Sequence, residues 1–127
     1  MARFHNFSLI HDDILDKAPL RRGKITVHER WNNDIAILAG DLLLVKAFQC
    51  LENTDINNYK TLNKLFLKTS VEVCEGQQLD MDFEKMEKVS LDQYIHMITL
   101  KTSVLLAASL EMGAIIGGAS ENNCKQL

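Results

Sequence analysis

Apolar side chains recur along most of the chain at helical spacing, and no stretch alternates apolar and polar residues as a strand would. The first helical pattern covers residues 3–17, and Pro19 ends it because proline disfavours the α conformation at Ala18. Its apolar positions are Phe4, Phe7, Leu9, Ile10, Ile14 and Leu15. The pattern therefore predicts a helix over 3–17 and a loop over 18–30.

Residues 34–52 form the most apolar stretch, with hydrophobic side chains on nearly every side of a helix. The residues at its start, Asn32, Asn33 and Asp34, have side chains that can cap a helix N-terminus. A helix that is apolar all round is typical of a buried position. We therefore expect a buried helix over roughly 34–52.

Two more helices are predicted after the polar break at 53–55. The first runs from about 57 to 80, and the charged residues 81–89 form a loop or a single turn. The second begins at Ser90, because Ser90 and Gln93 have the spacing of a capping box, and it extends to at least Leu110. These stretches predict a single all-α unit of about five helices over residues 1–127.

Composition and charge exclude several classes of protein. Of the 127 residues, 46% are hydrophobic and 24% are charged, which suits one globular domain, and a net charge of −3 argues against nucleic acid as a partner. The longest apolar run is interrupted by glycines, so no membrane span is expected. Cys50, Cys74 and Cys124 are odd in number and far apart, which predicts reduced thiols. With no signal-peptide pattern, we expect a cytoplasmic location.

Three acids, Asp12, Asp13 and Asp16, gather near the end of the first predicted helix. On a helix they lie towards one side, where they repel each other and no residue of the helix neutralises them. Mg²⁺ prefers such oxygen ligands and is commonly shared between carboxylates and a substrate phosphate, with Mn²⁺ as an alternative ion. Arg21 and Arg22 follow closely and suit a diphosphate. A solvated acidic helix end is the alternative interpretation.

The helix that begins at Ser90 has two distinct faces when successive residues are placed about 100° apart. One face carries Asp92, His96, Thr99 and Ser103. The opposite face, which we expect to point inward, carries Tyr94, Ile98, Lys101 and Leu105. Lys101 must therefore either extend its stem to water or bind an anion, because a buried unpaired ammonium is very costly.

Several segments occur in one order along the chain. They read SLIHDDILD at 8–16, LRRGK at 20–24, TVH at 26–28, AILAGD at 36–41, EGQQLD at 75–80 and KT at 101–102. Together they resemble the trans-isoprenyl diphosphate synthases, also called polyprenyl synthetases. The resemblance implies an isoprenoid-synthase-type helical bundle, of which this chain covers the middle part.

The resemblance also implies an enzyme, a transferase that condenses an allylic prenyl diphosphate with isopentenyl diphosphate, head to tail. In such an enzyme the acids hold Mg²⁺, which identifies the expected metal ligands as Asp12, Asp13 and Asp16. Arg21 is expected to hold the allylic diphosphate, and Arg22 is expected to hold the isopentenyl diphosphate.

Four residues further along the chain receive roles from the same resemblance. Lys101 is expected to contact the allylic diphosphate together with Arg21, and Thr102 is expected to face the reacting carbons. Gln77 and Asp80 belong to a segment similar to the family's GQxxD motif, and their spacing places both on one face of a helix. We expect this face to line the same cavity.

Product length and assembly are further implications. Phe7 stands five residues before Asp12, and an aromatic side chain at that place implies a short product, around C15 to C20. Ser8 lies one turn below the acid. The resemblance also implies a homodimer built from the helices at roughly 34–52 and 57–80, with exchange of helices between the two copies as one route.

The N-terminal substrate motif and the second aspartate motif of the family do not occur in these 127 residues, so we expect the chain by itself to be inactive. Two alternatives remain. The first is a non-catalytic module that assembles with another subunit. The second is a terpene cyclase, which also uses an aspartate-rich motif but would not need Arg21 and Arg22 for a second diphosphate.

Overall fold

The structure, a computed structural model, describes residues 1–118, 120 and 123. Within these residues nearly all regular structure is helical, which confirms the all-α prediction. The chain divides into two compact units, Met1–Asn53 and a second unit that begins at Thr54. Whether they function as one domain stays a prediction. Cys124 lies outside the described residues.

The first unit contains three helices, α1 (Ala2–Leu15), α2 (Val27–Arg30) and α3 (Asn33–Gln49), and ends in a 3-10 turn, Cys50–Asn53. α1 packs against α3. The buried apolar side chains of this unit are Phe4, Phe7, Ala36, Ala47 and Leu51. Asn32 caps α3, because its side chain accepts a 2.8 Å hydrogen bond from the backbone N–H of Ile35. The first two predicted helices are therefore confirmed.

Close packing of α1 on α3 depends on a glycine at position 40. A Cβ on Gly40 would overlap the imidazole ring of His11. The Nε2 of that ring donates a 3.2 Å hydrogen bond to the carbonyl oxygen of Ile37 and lies 3.5 Å from Oδ1 of Asp41. His11, the residue before the first acid, is therefore held directly against α3.

The prediction that α3 is buried is wrong for this chain. Only Ala36, Gly40 and Ala47 of α3 are buried. Leu38 is 67% exposed, and Leu42 and Val45 are 55% and 56% exposed. The physical reason is that the small residues form the face that packs on α1, whereas the larger aliphatic side chains point away from it.

Residues 18–30 are more ordered than the predicted loop. Two short antiparallel strands, β1 (Leu20–Arg21) and β2 (Lys24–Ile25), pair with Leu20 opposite Ile25, and α2 follows them. Arg22 and Gly23 connect the strands with φ of 51° and 76°. Positive φ at both residues matches a type I′ turn. Strands of two residues are too short to produce an alternating pattern, which is why the sequence prediction missed them.

The second unit contains a long helix, α4 (Ile56–Phe83), followed by α5 (Leu91–Ile98), a π-helical turn (Thr99–Ser103) and α6 (Val104–Ile116). α4 packs against each of the other three elements. The buried apolar side chains of this unit are Leu62, Phe66, Val73, Met97, Ala108 and Met112. The predicted long helix is confirmed, and it continues through residues 81–83, which the prediction had assigned to a loop.

The predicted start of the next helix is also confirmed. Ser90 Oγ accepts a 3.1 Å hydrogen bond from the Gln93 N–H, and the Gln93 side chain accepts a 2.9 Å bond from the Ser90 N–H. The two residues thus form the reciprocal capping box that their spacing predicts.

The inward face predicted for this helix is only partly right. Tyr94 is 50% exposed, whereas Met97, which the prediction did not include, is buried. Both residues precede the π-helical turn, so their exposure reflects which side of α5 packs against α4. The turn contains more residues per turn than an α-helix, so it shifts the residues after it, such as Leu105, out of the 100° register. Thr99 opens this turn and donates a 2.8 Å side-chain hydrogen bond to the carbonyl oxygen of Ile95.

The stretch Leu91–Ile116 is continuous through the π turn and reaches 26 residues. By length and composition alone it could cross a membrane, so the expectation that no apolar run is long enough was too strict. An apolar core helix of a soluble helical protein meets the same two criteria. Length and composition therefore do not distinguish a membrane-spanning helix from an apolar core helix of a soluble protein.

Candidate functional site

Asp12 and Asp16 lie together at the C-terminal end of α1, where Asp16 is the capping residue. Each offers a carboxylate oxygen within 4.8 Å of the other. Two oxygens bound to one Mg²⁺ stand at most about 4.2 Å apart, because each bond is about 2.1 Å long. A small side-chain rotation would bring both into range. The pair therefore suits a hard divalent cation.

Asp13 faces a different partner. Arg21 Nε donates hydrogen bonds of 2.9 Å to both carboxylate oxygens of Asp13, and Arg21 Nη2 donates one of 2.6 Å to Oδ1. Asp13 is only 5% exposed. The hydrogen bonds and negative charge of Asp13 raise the pKa of Arg21 above its ordinary value. The β-hairpin thus supplies a cation to this cluster of acids.

Arg21 also links Asp13 to the neighbouring acid. Its Nη2 lies 3.9 Å from Oδ2 of Asp12. The guanidinium therefore stands beside Asp12, which together with Asp16 could hold a metal. The structure thus separates the predicted metal ligands, because Asp12 and Asp16 lie together whereas Asp13 pairs with Arg21. That Asp13 binds the metal directly stays a prediction.

The hairpin that carries Arg21 is anchored at its base. Thr26 is buried, and its Oγ1 donates a 2.8 Å hydrogen bond to the carbonyl oxygen of Ala18. The Thr26 N–H donates a 3.2 Å hydrogen bond to the carbonyl oxygen of Pro19. Arg22 occupies the turn and is exposed, and its role toward the isopentenyl diphosphate stays a prediction. No separate pattern in the sequence indicated the anchoring role of Thr26.

In the second unit, Lys101 meets an anion of the chain. Its Nζ donates a 2.6 Å hydrogen bond to Oδ2 of Asp80, and both side chains are about three-quarters buried, with 25% and 27% of their surfaces exposed. Between the two alternatives for Lys101, the structure therefore favours pairing with an anion. Thr102, the next residue, is exposed.

Gln77 lies one turn before Asp80 on α4, as its spacing predicts. Its amide nitrogen Nε2 is buried, and no protein atom in the described part of the chain accepts a hydrogen bond from it. A buried amide donor without a partner is costly, and a ligand oxygen is one way to satisfy it.

Phe7 and Ser8, the residues predicted to limit product length, lie in the middle of α1. The Phe7 ring is buried and makes edge contacts with Phe4 and His11, at centroid distances of 5.3 and 5.0 Å. Ser8 Oγ donates a 2.7 Å hydrogen bond to the carbonyl oxygen of His5. Their effect on product length stays a prediction.

Comparison with known proteins identifies relatives along the entire chain. Residues 1–127 match the family model described as Polyprenyl synthetase. The chain is 49% identical to the geranylgeranyl diphosphate synthase of Methanosarcina mazei over 126 residues, and 46% identical to the short chain isoprenyl diphosphate synthase of Methanothermobacter thermautotrophicus over 117 residues. These alignments cover 97% and 91% of this chain but 39% and 36% of the relatives.

Solved structures show the same helical arrangement. The crystal structure of geranylgeranyl pyrophosphate synthetase from Pyrococcus horikoshii has a TM-score of 0.93 and 43% sequence identity to this chain. The match covers 98% of this chain and 38% of the other. This chain thus spans little more than a third of the length of the proteins it matches.

Proposed function

Because the chain belongs to the polyprenyl synthetase family, we propose that it carries metal-binding and diphosphate-binding parts of a prenyltransferase. The proposed reaction joins an allylic prenyl diphosphate to isopentenyl diphosphate. The allylic carbon–oxygen bond breaks and diphosphate leaves with the bonding electrons. The alkene of isopentenyl diphosphate then forms the new carbon–carbon bond, and a proton is lost to restore a double bond.

The observation that carries this proposal is the arrangement at the end of α1. Asp12 and Asp16 could hold Mg²⁺, and Arg21 stands beside them with its guanidinium oriented by Asp13. When bound, the ion would supply Lewis-acid assistance to the departing diphosphate. A guanidinium held in place binds phosphate oxygens through two parallel N–H groups at low entropic cost. The acids would therefore bind the metal ion of a metal–diphosphate ligand, and the guanidinium would bind its negatively charged diphosphate.

The remaining predicted residues complete the proposal. Lys101, placed by Asp80, supplies a further cation for diphosphate, and Gln77 supplies an amide donor. Arg22, which is exposed on the hairpin turn, is assigned to the isopentenyl diphosphate on the family resemblance. Thr102 is assigned to the reacting carbons, on the family resemblance alone.

The experiment is isothermal titration calorimetry with Mg²⁺ and a non-hydrolysable prenyl diphosphate. Asp12→Ala and Asp16→Ala should each abolish Mg²⁺-dependent binding and leave the helical circular dichroism unchanged, because alanine has a higher helix propensity than aspartate. Glu87→Ala removes an exposed acid elsewhere and is the charge-matched control. Wild-type affinity in both aspartate variants would exclude these residues from the site.

A second candidate function is non-catalytic assembly with another subunit, and the exposed aliphatic side chains of α3 favour it. A homodimer, with or without exchanged helices, is the partner that we propose for this surface. The two candidates are separated by the titration above, since an assembly module need not bind a metal–diphosphate. A terpene cyclase is less consistent with Arg22 on the exposed turn.

A cytoplasmic location is also part of the proposal. Its support is the odd number and wide spacing of Cys50, Cys74 and Cys124, which favour reduced thiols. The proposed substrates are soluble charged diphosphates.

A further inference from the structure

The backbone of the π turn packs directly against Gly76 of α4. This glycine is buried in the C-terminal half of α4. A Cβ added to it would overlap the backbone nitrogen of Lys101 and would lie 2.8 Å from the carbonyl carbon of Leu100. Both neighbours are backbone atoms, which cannot rotate away as a side chain can. Any side chain at position 76 would therefore push the π turn off α4.

The same place sets the position of the Lys101 ammonium. Asp80 follows Gly76 by four residues, so both lie on one face of α4. Lys101 is the central residue of the turn Thr99–Ser103. Its backbone rests on Gly76, and its Nζ reaches Asp80 Oδ2 at 2.6 Å. Gly76 thus contacts the backbone of Lys101, and Asp80 pairs with the far end of the same residue's side chain.

We propose that Gly76 is a positioning residue for Lys101. By allowing the π turn to rest on α4, it fixes the origin of the Lys101 side chain, and Asp80 fixes its end. The ammonium then has one defined place from which to meet a diphosphate oxygen. This inference rests on the proposed function for the part that concerns diphosphate, and on the contacts within the second unit for the part that concerns Lys101.

The test compares two helical glycines. Gly76→Ala introduces the overlap, whereas Gly113→Ala adds the same methyl group in α6, where nothing lies within 4 Å of the new Cβ. Both substitutions raise helix propensity, so propensity alone would change the two variants in the same direction. Binding of inorganic diphosphate with Mg²⁺ is measured by calorimetry for each variant of the 127-residue chain.

We expect Gly76→Ala to weaken diphosphate binding by about ten-fold, the effect of losing one charge-assisted hydrogen bond, and Gly113→Ala to stay within about two-fold of wild type. Lys101→Arg provides the readout that a purely structural role would not change. Its longer side chain should improve binding more in the Gly76→Ala background than in wild type. Wild-type affinity in a folded Gly76→Ala variant would overturn the proposal, and so would equal effects of Lys101→Arg in both backgrounds.

A second measurement separates this proposal from the proposed function. The ammonium signal of Lys101 is recorded by nitrogen-detected NMR and assigned with Lys101→Met. It should persist in Gly113→Ala and shift or disappear in Gly76→Ala, because the contact with Asp80 is lost. If wild-type protein binds no diphosphate but the signal behaves in this way, the proposed function fails and the positioning role stands. An unchanged signal in Gly76→Ala would refute the positioning role.

Discussion

Arg21 and Asp13 form the most completely hydrogen-bonded ion pair among the described residues. Arg21→Met would leave the nearly buried carboxylate of Asp13 without its cation and beside a second acid, Asp12. We expect the free energy of unfolding to fall by about 1–3 kcal/mol, the usual result of leaving a buried polar group unsatisfied. Urea unfolding followed by circular dichroism measures the change.

The neighbouring arginine provides the control for this prediction. Arg22→Met removes the same charge from the exposed hairpin turn and should change stability by less than about 0.5 kcal/mol. The double variant Asp13→Asn with Arg21→Met should recover part of the loss, since an amide needs no counter-charge. Equal effects of the two arginine substitutions would show that the pair contributes nothing specific to stability.

For single residues, the functional side chains were predicted better from the sequence than the residues to which they bond. Asp12, Asp13 and Asp16 were predicted as one cluster because their spacing along the helix is visible in the sequence. The bond from Asp13 to Arg21 was not predicted, because it depends on a chain reversal between α1 and β1 and on side-chain orientation. Neither property is encoded by spacing along a single helix.

Among the secondary-structure elements, the hairpin carries the clearest local strain. Arg22 has φ of 51°, a left-handed conformation that asparagine adopts more easily than arginine. Arg22→Asn should therefore stabilise the protein by about 0.5–1 kcal/mol, measured as a higher thermal midpoint. The same variant should bind isopentenyl diphosphate more weakly if Arg22 has its proposed role.

Gly23 in the same turn gives the opposite expectation. Its φ is 76° and nothing lies within 4 Å of an added Cβ, so Gly23→Ala introduces backbone strain without a steric clash. It should destabilise the protein by about 1 kcal/mol. A Gly23→Ala variant as stable as wild type would mean that the turn does not adopt these angles in solution.

Elements with local signals were predicted well, and elements whose signals depend on contacts were not. The start of α5 followed from Ser90 and Gln93 because a capping box is a contact between residues three apart. The π turn was missed because no local pattern in the sequence indicates it, and the residue it packs against, Gly76, is far away in sequence. Thr99 alone does not predict it, since serine and threonine bond to the preceding turn in ordinary helices as well.

For the whole molecule, we expect self-association of the 127-residue chain. The exposed side chains of Leu38, Leu42 and Val45 on α3 give each copy an aliphatic surface, and burial returns about 25 cal/mol for each Å² removed from water. Light scattering across a dilution series should show a dimer or a larger species. The association should weaken on cooling, as hydrophobic contacts do.

The double variant Leu38→Glu with Leu42→Glu should shift this equilibrium towards monomer and keep the helical content. Leu106→Glu on α6 removes an equally exposed leucine and is the control for a general loss of hydrophobicity. A folded wild-type protein at the monomer mass at every concentration would contradict the expectation of a homodimer.

The helical content and the order of helices could be predicted from the sequence, but the burial of α3 could not. Apolar periodicity shows how much of a helix surface is suited to be covered, and it does not show whether the covering residues belong to the same chain. This chain spans 39% of the Methanosarcina mazei synthase and 38% of the Pyrococcus horikoshii structure. A surface suited for burial can therefore remain exposed here.

The contact between Gly40 and His11 has a consequence for engineering. The His11 ring lies on α3 where position 40 has no side chain, so any residue larger than glycine there would push this ring of α1 away from α3. The Phe7 ring packs edge-on against the same imidazole, with 5.0 Å between the ring centroids, so a substitution at position 7 also alters the support of His11. Variants made to test the proposed chain-length role of Phe7 can therefore also move Asp12, the residue after His11, and position 40 must remain glycine in all of them.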